Sequence, residues 1–148
     1  MAGDVRGDRG WGDNGDRRVG APAPSPTIPP AKWCAVQVDF VAETIGFELD
    51  DLDRYPDSPM WKYAPQSIAR NQKHLRSCAP GAARDVVAGF TAAEAAAVAH
   101  RTDEIGWRDQ ANLARQLLAK CISRFQSTER GAKCETARQI VTRWLAAW

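Results

Sequence analysis

The residues best suited to chemistry form a basic cluster made up of Arg70, Lys73, Arg76 and Arg84. No acidic residue occurs between positions 67 and 84, and His74 lies within the same stretch. On a helix Arg70, Lys73 and His74 share one face, because residues three and four positions apart are neighbours. Arginine and lysine bind phosphate through charge-assisted hydrogen bonds and release counterions from nucleic acid. The cluster therefore predicts contact with the nucleic-acid phosphate backbone.

Two other interpretations of the basic cluster stay open at this point. Charge is distributed unevenly although the net charge is only +2: residues 1–32 carry +1, residues 33–66 carry −5 and residues 67–148 carry +6. The cluster could therefore contact the acidic segment 48–57 of the same chain, or it could simply be solvated.

A second candidate site lies at the end of the chain, where Trp144, Leu145 and Trp148 follow one another at helical spacing. Exposed aromatic residues on a helix end are typical of protein interfaces. The alternative is that these bulky side chains fill a core that has few leucines and isoleucines.

The cysteines and histidines are candidate metal ligands. His74 and Cys78 are four positions apart, and Cys34, Cys121 or Cys134 could complete a tetrahedral site. No CxxC pair is present, and the last two of these cysteines lie on apolar stripes, where cysteine behaves as a small hydrophobic residue. We therefore expect reduced thiols, no metal and no cofactor.

Catalysis is not expected either. His74 and His100 lie beside Lys73 and Arg101, and neither imidazole has an acid adjacent to it in the sequence that could orient it. A nucleophile pair of Cys78 with His74 would lack a third orienting group and an oxyanion site. The chain has no glycine-rich phosphate loop, GxSxG or HExxH motif. We therefore expect a protein that is not an enzyme.

The elements that position these residues must come from a modest apolar content. The chain has 148 residues, which fits one domain, and 26 of them are Leu, Ile, Val or Phe. The run at positions 33–47 has both strand-like alternation and helical spacing, and the helical interpretation is favoured, with Gly46 ending the helix. The Asp- and Pro-rich segment 47–65 is expected to be a loop.

From position 67 onward the signals are helical. Ser67 is expected to cap a helix that ends before Ala79-Pro80-Gly81, and a short helical turn is expected at 82–88. Thr91 and Glu94 have the spacing of a capping box that would begin another helix. Two further helices, near 107–126 and 129–148, carry apolar stripes and are expected to pair as a hairpin, with the Thr91 helix as a third member. Gly131 lies early in the last helix and could move its start to Ala132.

The whole pattern predicts an all-α protein, a small bundle of four to five helices at residues 33–148. A Gly/Asp/Arg- and Pro-rich arm at residues 1–32 is expected to be disordered. No apolar run is long enough to span a membrane and no targeting segment is evident, so the expected location is cytoplasmic.

The predicted function is that of a non-catalytic assembly component or adaptor that contacts nucleic-acid phosphate through its basic helix. The alternative is a purely protein-binding structural subunit, which would oligomerise or dock through its C-terminal aromatic helix.

Overall fold

The computed structural model describes residues 28–148, so most of the predicted N-terminal arm, residues 1–27, lies outside the described residues. Within residues 28–148 the chain forms five α-helices and no strand, which confirms the all-α bundle. A 3-10 turn at Pro30–Lys32 leads into α1 (Trp33–Arg54), which is followed by α2 (Met60–Leu75), α3 (Ala82–Arg101), α4 (Trp107–Arg124) and α5 (Glu129–Ala147). None of these five helices is long and apolar enough to cross a membrane.

Helix α3 lies at the centre of the bundle and packs against all four other helices. Its buried side chains include Val86, Val87 and Phe90, and the small residues Ala93 and Ala96 are fully buried beside them. Alanine allows neighbouring helix backbones to approach closely, so this core needs fewer large residues than most. The buried alanines of α3 therefore allow close packing at the centre of the bundle.

The first half of the bundle differs from the sequence prediction. Helix α1 continues through Gly46 to Arg54, because Leu49 and Leu52 extend the buried stripe and outweigh the low helix propensity of one glycine. The predicted loop 47–65 is therefore wrong over most of its length, since only residues 55–59 separate α1 from α2. Helix α2 begins at Met60 and includes Pro65, and Ser67 lies buried inside it instead of capping it.

The predicted capping box is also wrong. Thr91 lies in the middle of α3, which runs without a break from Ala82, and its hydroxyl donates a 2.7 Å hydrogen bond to the carbonyl oxygen of Val87. Glu94 is fully buried. The spacing of a capping box carries no information inside a longer helix, where threonine bonds to the preceding turn.

For the last two helices the structure confirms the predicted elements and their pairing. Helices α4 and α5 begin at Trp107 and Glu129, pack against each other, and α4 also packs against α3. Thr128 caps α5 by accepting a 3.1 Å hydrogen bond from the amide of Gly131. The helix therefore starts before Gly131, and the glycine belongs to its first turn.

The expectation of reduced thiols is wrong, because all four cysteines form disulfides. Cys34 at the start of α1 is bonded to Cys78 after α2, and Cys121 on α4 is bonded to Cys134 on α5. The Cα atoms of the two pairs lie 5.8 and 6.2 Å apart, within the usual range for disulfides. Burial on an apolar stripe, which suggested an inert thiol, suits a disulfide equally well.

Candidate nucleic-acid interface

Helix α2 has a basic face toward solvent and a mostly small and polar face toward the bundle. The segment Met60–Leu75 contains no acidic residue. Lys62, Arg70 and Lys73 are exposed, as is Arg76, which directly follows the helix. At 1.5 Å per residue the basic face extends about 21 Å from Lys62 to Arg76. The buried residues of α2 are Ala64, Ser67, Ile68 and Asn71.

The four basic residues of this face form neither an ion pair nor a side-chain hydrogen bond with another residue in the range 28–148. Most other arginines and lysines of this range do bind a partner. Ion pairs hold Arg54, Arg124, Arg130, Lys133, Arg138 and Arg143, and hydrogen bonds hold Arg84, Arg101, Arg108 and Arg115. The basic residues of α2 therefore differ from most others in residues 28–148, because their positive charge is available to an external anion.

Arg84, the fourth residue of the predicted phosphate site, has a structural partner. It is half-buried near the start of α3, and its Nε donates a 3.2 Å hydrogen bond to the carbonyl oxygen of Leu75. That carbonyl belongs to the last turn of α2, where backbone acceptors have no partner within the helix and favour positive charge. Arg84 therefore stabilises the end of the helix that carries the other three residues.

His74 is separated from the basic face by its packing. Its imidazole stacks on the indole of Trp33, with ring centroids 4.3 Å apart. Trp33 is adjacent to Cys34, which is bonded to Cys78, so the ring pair lies next to the disulfide that ties α1 to the end of α2. His74 therefore contributes to packing and is half-buried.

The acidic segment 48–57 does not form ion pairs with the basic face of α2 within the described chain. Asp50 pairs with Arg54 one turn later in the same helix. Asp53 accepts hydrogen bonds from Arg143 and from the indole Nε1 of Trp144, at 2.9 and 2.7 Å. Either carboxylate could have neutralised the basic face of α2, but Asp50 is paired within α1 and Asp53 is bound by residues of α5.

The C-terminal aromatic residues pack mainly against one another. Trp144 is only 3% exposed, whereas Leu145 and Trp148 are half-buried. The ring of Trp148 stacks on Trp144 and on His100, with centroids 4.7 and 3.9 Å apart, and meets Trp107 edge to face. This cluster closes one end of the bundle, and only Leu145 and Trp148 retain surface that a partner could contact.

No described residues are arranged as a metal site: residues 28–148 hold no group of three or more His, Cys, Asp or Glu side chains that could bind a metal ion. The candidate set of His74 with the four cysteines has no thiolate to offer, because each sulfur is in a disulfide. The same bond removes Cys78 as a nucleophile for His74.

Two carboxyl groups lie close together beneath the basic face. Burial, together with the nearby carboxyl of Glu48 on α1, raises the pKa of Glu94 to about 10, while Ser67 and Arg70 on α2 act in the opposite direction. Both carboxyl oxygens of Glu94 are buried without a well-formed hydrogen bond among the described residues. At neutral pH Glu94 is therefore protonated, which removes the cost of burying its charge.

Sequence reasoning missed several of these residues. Lys62 falls in the predicted loop, although its spacing of eight from Arg70 would place it on the same side of a continuous helix. The spacing from Thr91 placed Glu94 at a helix start, and no local signal distinguishes a buried glutamate from an exposed one. Comparison with family models, curated proteins and solved structures found no match to this chain.

Proposed function

We propose that this protein is a non-catalytic component that binds the phosphate backbone of nucleic acid through the basic face of α2. The contact residues are Lys62, Arg70, Lys73 and Arg76, and Arg84 supports them by stabilising the end of the helix. The observation that carries the proposal is that the side chains of these four residues have no ion-pair or hydrogen-bond partner within residues 28–148, in a bundle where most other basic side chains have one.

The chemistry favours phosphate over a general solvated surface. The basic face extends along about four helical turns from Lys62 to Arg76, with three of its four basic residues in the last two turns, and contains no carboxylate that would repel an anion. Two of its four residues are arginines, whose planar guanidinium groups bind phosphate oxygens in pairs. Only Tyr63 is an exposed aromatic residue on α2, so stacking of bases along this face contributes little, and the contact is with the backbone.

A salt titration tests this proposal. Binding of a labelled duplex and a labelled single strand, followed by fluorescence anisotropy between about 50 and about 200 mM salt, should weaken steeply as salt rises. Replacing Arg70, Lys73 and Arg76 by glutamine should reduce the magnitude of the slope of log K against log salt by about 0.9 for each duplex phosphate that is no longer bound.

A matched control separates the face from the overall charge. Replacing Lys32, Arg115 and Lys120 by glutamine removes the same charge from exposed positions outside α2. This control should bind nearly as well as the unaltered protein. Equal losses in both triple variants would show that only net charge matters, and absence of binding at low salt would overturn the proposal.

The proposed location follows from the cysteines. Two disulfides support an oxidising compartment instead of the cytoplasm expected from the sequence. Titration of free thiols in denatured protein from the source cell, with thiols alkylated at lysis, tests this location. We expect no reactive thiol, and four thiols per chain would restore the cytoplasmic prediction.

The alternative function, a structural subunit that docks through the C-terminal aromatic helix, has less support. Leu145 and Trp148 are the members of the predicted interface that retain exposed surface. Light scattering on the intact protein and on a Leu145→Glu variant tests it. A larger mass in the intact protein that falls to a monomer in the variant would favour this alternative, and a monomer in both would count against it.

A further inference from the structure

We propose a second binding surface, distinct from α2: the groove between α1 and α5 binds a single helix of a partner protein, a helix that is apolar on one face and carries a basic residue beside that face. The surface includes three exposed apolar side chains of α1, here called the α1 stripe: Val36, Phe40 and Phe47. They are 59%, 62% and 72% exposed, values that are high for large apolar residues.

The geometry of the α1 stripe fits a helix. Its members are separated by four and seven positions, so they lie on one line along the outside of α1. The stripe is about 16 Å long at 1.5 Å per residue, which matches three turns of a partner helix. At Phe47 the stripe opens into a groove of about 260 Å³ between α1 and α5, whose lining includes Ala42, Phe47, Ala132, Ala137 and Ile140.

The lining of this groove explains why a helix would fit there. Alanines at positions 42, 132 and 137 contribute only small side chains to the lining, whereas Phe47 contributes a large exposed one. Side chains that project at every third and fourth position from an incoming helix can insert into such a space. An extended strand would instead need a free sheet edge, and the described residues form no sheet.

The charge around the stripe identifies the chemistry of the partner. Glu43 lies between Phe40 and Phe47, is exposed, and forms no ion pair within residues 28–148. The neighbouring carboxylates already have partners: Asp39 pairs with Arg130 at 2.7 Å and Glu129 pairs with Lys133 at 3.8 Å. Glu43, which lies beside the α1 stripe without an ion-pair partner among residues 28–148, is complementary to a lysine or arginine on the partner helix.

The same charge argues against the other occupants. A two-fold contact between the α1 stripes of two copies would bring Glu43 close to its own equivalent, and like charges repel. Nucleic acid would meet the same carboxylate, and the nearby basic residues Arg130 and Lys133 are already paired with Asp39 and Glu129. A basic amphipathic helix is the occupant that satisfies both the apolar and the charged features of the surface.

Binding of synthetic helical peptides tests the proposal on the full-length protein. The first labelled peptide has about eighteen residues, or five turns, with leucines at positions i, i+4, i+7 and i+11 and lysines beside them. A second peptide has the same composition in scrambled order, and a third replaces the lysines with glutamates. We expect the first peptide to bind more tightly than the other two.

Substitutions then locate the bound peptide. A Phe40→Ala/Phe47→Ala variant should weaken binding of the basic amphipathic peptide by about tenfold or more. Glu43→Lys should weaken binding of the same peptide and strengthen binding of the acidic one, and its exposed position makes it harmless to the fold. Leu113→Ala, which removes a 45% exposed leucine from α4, is the matched control and should change nothing.

Three results would overturn the proposal. The first is equal binding of the ordered and the scrambled basic peptides. The second is an equal loss of peptide affinity in the Leu113→Ala variant and in the double phenylalanine variant. The third is a protein dimer that the phenylalanine substitutions dissociate. The last result would assign the surface to a second copy of the chain. Circular dichroism and thermal unfolding of each variant, together with amide chemical-shift changes confined to α1 and α5, distinguish impaired binding from impaired folding.

Discussion

The indole Nε1 of Trp144 donates a 2.7 Å hydrogen bond to Oδ1 of Asp53, which joins the last helix of the bundle to the first. The same carboxylate accepts hydrogen bonds from both terminal nitrogens of Arg143, at 3.3 and 2.9 Å. The side chain of Asp53 is only 14% exposed, so these bonds compensate for the loss of its hydration. Together with the ion pair between Asp39 and Arg130, this contact links α5 to α1.

Removal of the indole donor should therefore destabilise the bundle. Trp144→Phe keeps an aromatic ring in the core but leaves Asp53 with fewer donors, and we expect the free energy of unfolding to fall by about 1–3 kcal/mol. Asp50→Asn is the control, because its exposed pair with Arg54 contributes less than about 1 kcal/mol. Urea unfolding measures both variants, and equal values would contradict the assigned role of the Trp144 bond.

The buried carboxyl of Glu94 predicts an unusual dependence of stability on pH. Its pKa in the folded protein, about 10, exceeds that of a glutamate in an unfolded chain, so the folded state keeps a proton that the unfolded state releases. The contribution of this group is fully favourable at acidic pH and is lost as pH rises toward 10. Between the ordinary pKa of glutamate, about 4.3, and the folded-state pKa of about 10, the free energy of unfolding should fall by up to about 1.4 kcal/mol per pH unit.

Glu94→Gln tests this origin of the pH dependence, because the amide cannot ionise. Thermal unfolding of this variant between about pH 5 and about pH 9, compared with the unaltered protein, should show a flatter profile. Glu43→Gln, on the exposed side of α1, should leave the profile unchanged. A profile equally steep in the Glu94→Gln variant would show that another group causes the dependence.

The second half of the fold could be predicted from the sequence better than the first. Helices α4 and α5 start at Trp107 and Glu129, near the positions that apolar periodicity predicts, and the Thr128 cap places the start of α5 before Gly131. Around α1 and α2 the local signals conflict with the packing: Gly46 and Pro65 suggest breaks, yet both lie inside helices. Tertiary burial of one face outweighs such local preferences, and one sequence does not reveal that burial.

The candidate site could be predicted only in part. The clustering of Arg70, Lys73 and Arg76 is visible in the sequence, and their shared exposure follows from one helix. The bond from Arg84 to Leu75 and the pairing of Asp53 with α5 depend on contacts between distant segments. The Cys34–Cys78 disulfide was missed for the same reason, since these cysteines are 44 positions apart, whereas Cys121 and Cys134 lie on the apolar stripes of two helices predicted to pair and were interpreted as buried thiols.

The two disulfides should stabilise the fold by different amounts. Loop-closure entropy predicts about 4 kcal/mol for the Cys34–Cys78 bond, which spans 44 positions, and about 3 kcal/mol for the Cys121–Cys134 bond, which spans 13. Paired serine substitutions, compared by denaturant unfolding, should show the larger loss for the first pair. An unfolding curve that does not move when reductant frees all four thiols would contradict any stabilising role.

Among the glycines of residues 28–148, Gly131 has the closest contact for an added side chain and should tolerate substitution poorly. A Cβ atom added there would lie 2.1 Å from the carbonyl oxygen of Phe125, a backbone atom that cannot move without disturbing the turn and the Thr128 cap. We expect Gly131→Ala to lower the free energy of unfolding by at least about 2 kcal/mol. At Gly89 the added atom would be 3.2 Å from Leu117, which predicts a smaller loss, and at Gly106 it would meet nothing within 4 Å. Urea unfolding of the three alanine variants should therefore show the smallest loss of stability at Gly106, a larger one at Gly89 and the largest at Gly131. A neutral Gly131→Ala would show that the close approach to Phe125 does not constrain the α4–α5 turn.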